Sequence, residues 1–163
     1  MMTNINLKIP IYYSQLCIFE SFLKDPYNNW SKEHVDQGFS WRKNSVSFAT
    51  LIAEGEHNVN VTLNELINRD EISRDEISRD CVRAFLVPFE ISSNTIEVGI
   101  VYDTYSLSVI PGKYKLQVEF FEIDQSYNVK INLSLGSCRH SILRNDGLLI
   151  ESENFFLEAD SAT

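Results

Sequence analysis

Apolar and polar residues alternate along most of this chain, and the alternation repeats every second residue. It begins in Ile5, Leu7 and Ile9 and returns in residues 16–19. Because successive side chains of a strand point to opposite faces of a sheet, this period predicts β-strands. Later runs with the same period are Val46, Phe48 and Ile52; Val59, Val61 and Leu63; Ile96, Val98, Ile100 and Tyr102; Tyr114, Leu116, Val118 and Phe120; and Val129, Ile131, Leu133 and Leu135. The chain is therefore predicted to be built mainly of strands.

Turn-forming residues separate these runs, at residues 92–94, 111–112 and 145–147. Ser, Asn, Pro and Gly favour the tight turns that connect neighbouring strands. Many short strands at this spacing are typical of a sandwich or a barrel. We predict an all-β fold, an antiparallel β-sandwich of about eight to ten strands. Residues 1–163 are expected to form this sandwich as a single domain.

One short helix is predicted to interrupt the strands. Ser31 has a side chain that can accept hydrogen bonds from the backbone amides of the next turn, which is the role of an N-cap residue. Residues 32–37 can form that turn, and Gly38 can end it in the left-handed conformation. Trp30 directly precedes the cap and can pack like a staple residue. The sequence thus predicts one helix in an otherwise β protein.

A tandem repeat lies within residues 67–80, between two predicted strands. RDEIS occurs twice there, and RD begins a third copy. Five residues rotate a helix by about 500°, a net turn of about 140°, so the repeated isoleucines cannot share one helical face. Because five is odd, they would also switch faces in a strand. We predict a surface loop at 67–80 with solvated charges, and an arm that touches a partner is the alternative.

The chain is acidic, with 14 Lys and Arg residues against 23 Asp and Glu residues and a formal net charge of -9. This balance disfavours direct contact with nucleic-acid phosphates or anionic membranes, and a basic protein is its electrostatic complement. No window holds the run of about 18 apolar residues that a membrane helix requires. The N-terminal residues also lack a basic segment followed by an apolar run. We expect a cytoplasmic protein.

No motif for catalysis or for a cofactor occurs in the sequence. The six glycines form neither GxGxxG nor GxxxxGK, and no serine lies in a GxSxG elbow. His34, His57 and His140 form no HExxH or His/Cys pair and are expected at surface or helix-end positions. Isolated cysteines in odd number favour small buried side chains over disulfides or metal ligands. These are Cys17, Cys81 and Cys138. We predict a protein that is not an enzyme and holds no cofactor or metal.

The segment around the predicted helix combines aromatic and acidic residues. Trp30 lies near Asp25, Glu33 and Asp36 in the sequence. An aromatic side chain within a charged rim is the composition favoured at protein interfaces, although Trp30 could instead pack in the core. The aromatic residues could also stack on a sugar. Because an acidic rim favours a protein partner, we predict a partner-binding site at Asp25, Trp30, Glu33 and Asp36.

Several separated blocks of residues occur in the order found in a known protein family. The blocks are carried by Tyr13, Gln15, Ile18 and Phe19; Trp30, Ser31, Glu33, Gly38 and Phe39; Val46, Ser47 and Phe48; Val87, Pro88 and Phe89; Ile96 and Val98; and Pro111, Gly112, Tyr114 and Leu116. With these blocks the chain resembles the competence protein J family. The repeat at 67–80 departs from the family pattern, and residues 136–163 form a C-terminal extension beyond it.

The resemblance implies a stoichiometric inhibitor of a DNA-entry nuclease of naturally competent bacteria, with the nuclease encoded by a neighbouring gene. The charge of the chain is compatible with this role. A nuclease groove must be cationic to hold phosphates, so an acidic surface can occupy it and compete with DNA. Outside competence systems, the same action would make the chain an immunity protein against a nuclease toxin.

Two other classes of function stay open from the residues. A carbohydrate- or calcium-binding β-sandwich module would use Tyr27, Trp30 and Trp41 to stack on sugars, or loop oxygens to bind calcium, although no DxDxDG pattern occurs. An enzyme on a β-sandwich would need catalytic residues that converge only in the folded chain. Calcium-dependent thermal stabilisation would support the first class, and a polar pocket would support the second.

Overall fold

The computed structural model describes residues 2–67, 78–145, 148–149 and 158–162. Within them the chain forms twelve β-strands and one helix, so the prediction of a mostly β protein with one short helix is confirmed. The elements are β1 (Met2–Ile11), β2 (Gln15–Glu20), α1 (Lys32–Gln37), β3 (Phe39–Arg42), β4 (Ser45–Ala49), β5 (Gly55–Ile67), β6 (Arg83–Ile91), β7 (Thr95–Ile100), β8 (Asp103–Ser108), β9 (Gly112–Ile123), β10 (Ser126–Leu135), β11 (Ser141–Asn145) and β12 (Leu148–Leu149). The strands exceed the predicted eight to ten because short strands such as β3 and β12 carry no full alternating run.

Backbone contacts divide the chain into two compact units. Unit 1 comprises Met1–Ile9, Glu56–Pro88 and Lys113–Asn154, and unit 2 comprises Pro10–Gly55, Phe89–Gly112 and Phe155–Thr163. A seven-stranded sheet in the order β1-β5-β10-β9-β6-β11-β12 belongs mostly to unit 1. A five-stranded sheet in the order β3-β4-β2-β7-β8 lies within unit 2.

The seven-stranded sheet is mixed, which corrects the prediction of a wholly antiparallel fold. β10 pairs antiparallel with β9, as a hairpin requires, but it pairs parallel with β5, with Ile131 opposite Val61. The alternation of apolar residues reports only which side chains share a face, and it is identical for parallel and antiparallel neighbours. The strand direction was therefore not available from the pattern.

The core of unit 1 follows the predicted alternation in three rows that cross β9, β10 and β5. Val118 lies opposite Ile131, which lies opposite Val61, and all three side chains are buried. The rows on either side are Leu116, Leu133 and Leu63, and Phe120, Val129 and Val59. Cross-strand apolar pairs of this kind are the main stabilising unit of a sheet.

The core of unit 2 is built in the same way from β2, β4, β3 and β7. Leu16 lies opposite Phe48, and Phe48 lies opposite Phe39. In the next row, Ile18 lies between Val46 and Val98. All of these side chains are buried, so the runs predicted as strands supply the apolar face of this sheet.

The tight turn between β7 and β8 requires a glycine at position 99. A Cβ atom at Gly99 would lie 2.3 Å from the carbonyl oxygen of Asp103 and 2.8 Å from the Cα of Thr104. Both are backbone atoms, so the clash cannot be relieved by rotating a side chain. We expect Gly99→Ala to lower the free energy of unfolding by about 2 kcal/mol, the usual cost of overpacking. Urea unfolding followed by circular dichroism measures this change, and an unaltered midpoint would contradict it.

Residues after 136 contribute to both units. In unit 1, β11 pairs antiparallel with β6, with Ile142 opposite Phe85, and β12 pairs with β11. In unit 2, Ser161 and Glu158 form isolated bridges with Asn28 and Trp41. The predicted C-terminal extension at 136–163 thus adds backbone pairing within each unit.

The predicted loop at 67–80 falls largely on residues 68–77, which lie outside the described residues, although Ile67 belongs to β5. Across the described ranges, no helix has the length and apolar character needed to cross a membrane.

Candidate functional site

The helix α1 has the bounds and the caps that the sequence predicts. The Ser31 side chain accepts a hydrogen bond from the backbone N–H of His34, and the Ser31 N–H donates to His34 Nδ1 at 2.9 Å. Gly38 ends the helix with φ 89°, and its N–H donates to the His34 carbonyl at 2.9 Å. This reciprocal capping satisfies amides that a short helix would otherwise leave unpaired.

His34 and His57 are both buried. His34 lies at the end of α1, as one of the two predicted positions, whereas His57 lies within β5, so the prediction of a surface or helix-end position is wrong for His57. The His34 ring serves the cap of α1 through Nδ1, and its Nε2 lies 3.4 Å from the carbonyl oxygen of Glu158. The His57 ring stacks on Tyr127 with centroids 5.6 Å apart. Both imidazole rings therefore contact neighbouring groups of the folded chain. The isolated occurrence of each histidine in the sequence did not predict these contacts.

The outer side of α1 carries the two predicted acidic residues of the helix. Glu33 and Asp36 are exposed, and Val35 between them is 63% exposed. The backbone N–H of Glu33 and the hydroxyl of Ser31 hold the pKa of the Glu33 carboxyl below its ordinary value. The helix thus presents two carboxylates around one accessible apolar side chain, which is a small version of an anchor within a charged rim.

Trp30 is half-buried, with its ring edge-on to His34 at a centroid distance of 6.4 Å. Its indole Nε1 is buried and has no hydrogen-bond partner among the described residues. Trp30 packs beside the N-cap as expected for a residue in that position, but its neighbour is His34 and not the exposed Val35. Only part of the indole is therefore accessible to a partner.

Asp25 belongs to a loop that is hydrogen-bonded to residues of β3 and β4 in the five-stranded sheet. Asn28 is the main fastening point: its Nδ2 donates to the carbonyls of Ser40 at 2.7 Å and Ser45 at 2.8 Å. Its Oδ1 accepts from Arg42 Nε at 2.6 Å, and Arg42 Nη2 donates to the Asp25 carbonyl at 2.5 Å. The loop that carries Asp25 is thus held by two buried and two half-buried hydrogen bonds.

We expect Asn28→Ala to lower the free energy of unfolding by about 2 kcal/mol, because it leaves buried carbonyls and a guanidinium N–H without their partner. Asn29→Ala is the matched control. Asn29 is exposed, and its described hydrogen bonds involve its own backbone N–H and carbonyl, which alanine keeps. Chemical denaturation of the two variants measures the difference. Equal stabilities would show that the Asn28 side chain does not fasten the loop.

The C-terminal residues add acidic side chains that no sequence pattern predicts at this site. The Asn29 N–H donates to the Asp160 carbonyl at 2.8 Å, and the Ala159 N–H donates to the Trp41 carbonyl at 2.8 Å. Burial lowers the pKa of Arg42, and the carboxylates of Asp25 and Asp160 oppose that shift. Asp160 and Glu158 are exposed. We define the acidic surface of unit 2 as Asp25, Glu33, Asp36, Glu158 and Asp160.

Tyr27 of the same loop contacts Tyr102, which lies in the turn after β7. The Tyr102 backbone N–H donates to the Tyr27 hydroxyl at 2.8 Å, and their rings meet edge-to-face with centroids 5.5 Å apart. Tyr27 is also edge-to-face with the buried Phe19 at 5.5 Å. The alternation pattern placed Tyr102 in a strand, whereas the structure places it in the turn after β7.

Unit 1 contains a separate groove of about 620 Å³, lined by both apolar and polar side chains. Residues that line it include Asn6, Asn58, Asn60, Asn128, Arg79 and Lys130. The Asn60 amide donates to the side-chain oxygens of Asn4 and Asn6, each at 2.8 Å, and Lys130 Nζ lies 5.4 Å from the centroid of the Phe121 ring. In the part of the chain that the structure describes, no group of three or more His, Cys, Asp or Glu side chains could hold a metal ion.

Comparison with known proteins identifies related sequences and folds. A family model described as Competence protein J (ComJ) matches residues 8–136. The structure of ComJ from Bacillus subtilis, described as an inhibitor of the DNA degrading activity of NucA, is similar with a TM-score of 0.67 and 17% identity, over 83% of this chain and 99% of that chain. A protein described as Crocagin biosynthetic gene J has a TM-score of 0.57 and 14% identity, over 84% and 99% of the two chains. No curated protein matches.

Proposed function

Because this chain belongs to the competence protein J family, we propose that it is a stoichiometric protein inhibitor of a nuclease. The family match over residues 8–136 is the observation that carries the proposal. The B. subtilis protein with the similar fold is described as an inhibitor of the DNA degrading activity of NucA. We call the target the paired nuclease, and we expect a neighbouring gene to encode it. In a toxin system, the same action would make this chain an immunity protein.

The proposed mechanism is competition with DNA for a cationic surface. A nuclease binds DNA phosphates with Lys and Arg side chains. Neutralising the phosphate charges supplies most of the affinity of the nuclease for DNA. The acidic surface of unit 2 presents carboxylates from a helix, a loop and the C-terminal residues, and the net charge of -9 would steer association with a basic protein. We propose that this surface, which contains Asp25, Glu33 and Asp36, occupies the DNA-binding groove together with the neighbouring Trp30.

Inhibition by occupancy needs no chemical step, so we assign the chain no catalytic residue and propose that it is not an enzyme. The cytoplasmic location, the single domain and the sandwich arrangement expected from the sequence stay predictions.

Mixing the purified chain with the paired nuclease tests the proposal. We expect one complex in gel filtration at micromolar concentration and a loss of DNA degradation that is complete at a one-to-one molar ratio. Separate elution of the two proteins, together with undiminished DNA degradation, would refute the assignment.

The asparagine side chains in the groove of unit 1 favour one alternative, a carbohydrate-binding module. Asparagine carboxamides both donate and accept hydrogen bonds, which suits sugar hydroxyls, and Asn58, Asn60 and Asn128 line this groove. Screening on a polysaccharide array tests this second function. Thermal stabilisation by a bound saccharide, lost in Asn128→Ala, would support it, and an array without signal would exclude it.

A further inference from the structure

Tyr102 lies in the turn between β7 and β8 and has a backbone conformation that a tyrosine rarely adopts. Its side chain is 90% exposed and its backbone φ is 67°. A bulky residue in the left-handed region costs about 1 kcal/mol or more, whereas Gly or Asn adopts it readily. Because the ring is in solvent, core packing does not repay that cost. Tyr13 and Phe22 are also exposed aromatic residues with a left-handed backbone, so it is the contacts of Tyr102 that distinguish it from them.

Tyr27 holds Tyr102 in one orientation. The Tyr102 N–H donates to the Tyr27 hydroxyl at 2.8 Å, and three rings, those of Tyr102, Tyr27 and Phe19, meet edge-to-face in succession. Phe19 is buried, so the series joins an exposed ring to the core of unit 2. A side chain that is already fixed loses little conformational entropy on binding, which raises affinity.

The surroundings of Tyr102 determine the kind of partner. Asp103 is the next residue and is exposed, and Asp25 lies two residues before Tyr27 in the fastened loop. The Tyr27 carbonyl accepts from the Ala162 N–H at 2.7 Å, next to the segment that carries Asp160. The tyrosine pair is thus joined to the segments of the acidic surface. Tyrosine faces attract Arg and Lys side chains, and nearby carboxylates reinforce that attraction.

We propose that Tyr102, held by Tyr27, is the aromatic anchor of the surface that binds the cationic nuclease. This inference rests on the proposed function and names the residue that provides the largest apolar contact. Tyrosine is enriched among the few residues that dominate interface energetics. Tyr102 takes the role that the sequence assigned to Trp30, whose indole is half-buried.

Phe22 offers a matched control. It is 93% exposed with φ 69°, so it shares the exposure and the backbone strain of Tyr102. Among the described residues, no ring contact or hydrogen bond of its side chain holds it as Tyr27 holds Tyr102. Truncating Phe22 therefore removes an exposed aromatic ring without removing the proposed anchor.

The experiment is calorimetric titration of the full chain and its variants into the paired nuclease. We expect Tyr102→Ala to raise Kd about 30-fold, Tyr102→Phe to stay within about threefold of wild type, and Phe22→Ala to stay within about twofold. The Tyr102→Ala effect should persist at 1 M salt, where charge effects are screened. Urea unfolding should show Tyr102→Ala within about 1 kcal/mol of wild type, because the substitution removes the edge-to-face contact with Tyr27 but no core packing.

The outcomes separate the two proposals. Wild-type chain that forms no complex with the nuclease refutes the proposed function and this inference with it. A wild-type complex that Tyr102→Ala matches within about twofold overturns the anchor alone, as does an equal loss in Phe22→Ala. Loss in Tyr102→Ala with retention in Tyr102→Phe and Phe22→Ala supports the anchor.

Discussion

Replacing Glu33 and Asp36 together with lysine is expected to raise the Kd for the paired nuclease about 100-fold at low salt. Two unit charges about 6 Å apart interact by about 0.7 kcal/mol in water, so reversing one sign changes the interaction by about 1.4 kcal/mol, or tenfold. Both side chains are exposed on α1, so the substitutions disturb no core packing. The loss should shrink strongly at 1 M salt, where the Debye length is about 3 Å.

The control for this reversal is Glu54→Lys combined with Glu122→Lys. Both residues are exposed and lie outside the acidic surface, and the double change alters the net charge by the same amount. Surface plasmon resonance over a salt series compares the two double variants. If both lose affinity equally, net charge alone guides binding and the acidic surface is not the contact site.

Replacing Glu20 with alanine is expected to lower the free energy of unfolding by about 3 kcal/mol. Glu20 is only 5% exposed. Its carboxylate accepts hydrogen bonds from the backbone N–H of Ser92, from the backbone N–H of Ser93 at 2.5 Å and from the Ser92 hydroxyl at 2.9 Å. It therefore organises the turn between β6 and β7. Hydrogen bonds to an ionised group are stronger than those between neutral groups. Alanine removes these bonds, and the truncated side chain also leaves an empty space beside the turn.

The same carboxylate gives the chain a defined response to acid. Burial raises the pKa of Glu20, but the hydrogen bonds from Ser93 and Ser92 together lower it by a larger amount. The pKa of Glu20 is therefore below its ordinary value of 4.5. A lowered folded-state pKa stabilises the chain above the unfolded-state pKa, and this stabilisation is lost as pH falls through the folded-state value. Urea unfolding at stepped pH from 7 to about 3 should show a smaller decline for Glu20→Ala than for wild type. Equal declines, with Glu122→Gln as the exposed control, would contradict the assignment.

Features set by neighbouring residues were predictable from the sequence. Ser31 and Gly38 bound the helix because capping depends on side chains and glycine conformations within one turn. The strand runs were also predictable, since burial of one face imposes a period of two. Both kinds of signal are local, and the structure reproduces the helix bounds and most of the runs, although Ile52 and Tyr102 lie outside the strands.

Features set by contacts between distant segments were not predictable. The parallel pairing of β10 with β5 joins strands that are far apart in sequence, and alternation carries no direction. Asp160 reaches the loop that carries Asp25 through backbone hydrogen bonds, which no side-chain pattern encodes. Tyr102 continued the alternating run of β7, so only its left-handed backbone distinguishes it from a strand residue.

Competitive titration of nuclease activity tests the central claim most directly. The chain is added to a fixed concentration of the paired nuclease at several DNA concentrations, and DNA degradation is followed by fluorescence. Competition for the DNA-binding groove predicts complete inhibition, with a half-inhibitory concentration that rises in proportion to the DNA concentration once DNA exceeds its KM. Inhibition that is independent of DNA concentration, or absent at a molar excess of the chain, would contradict it.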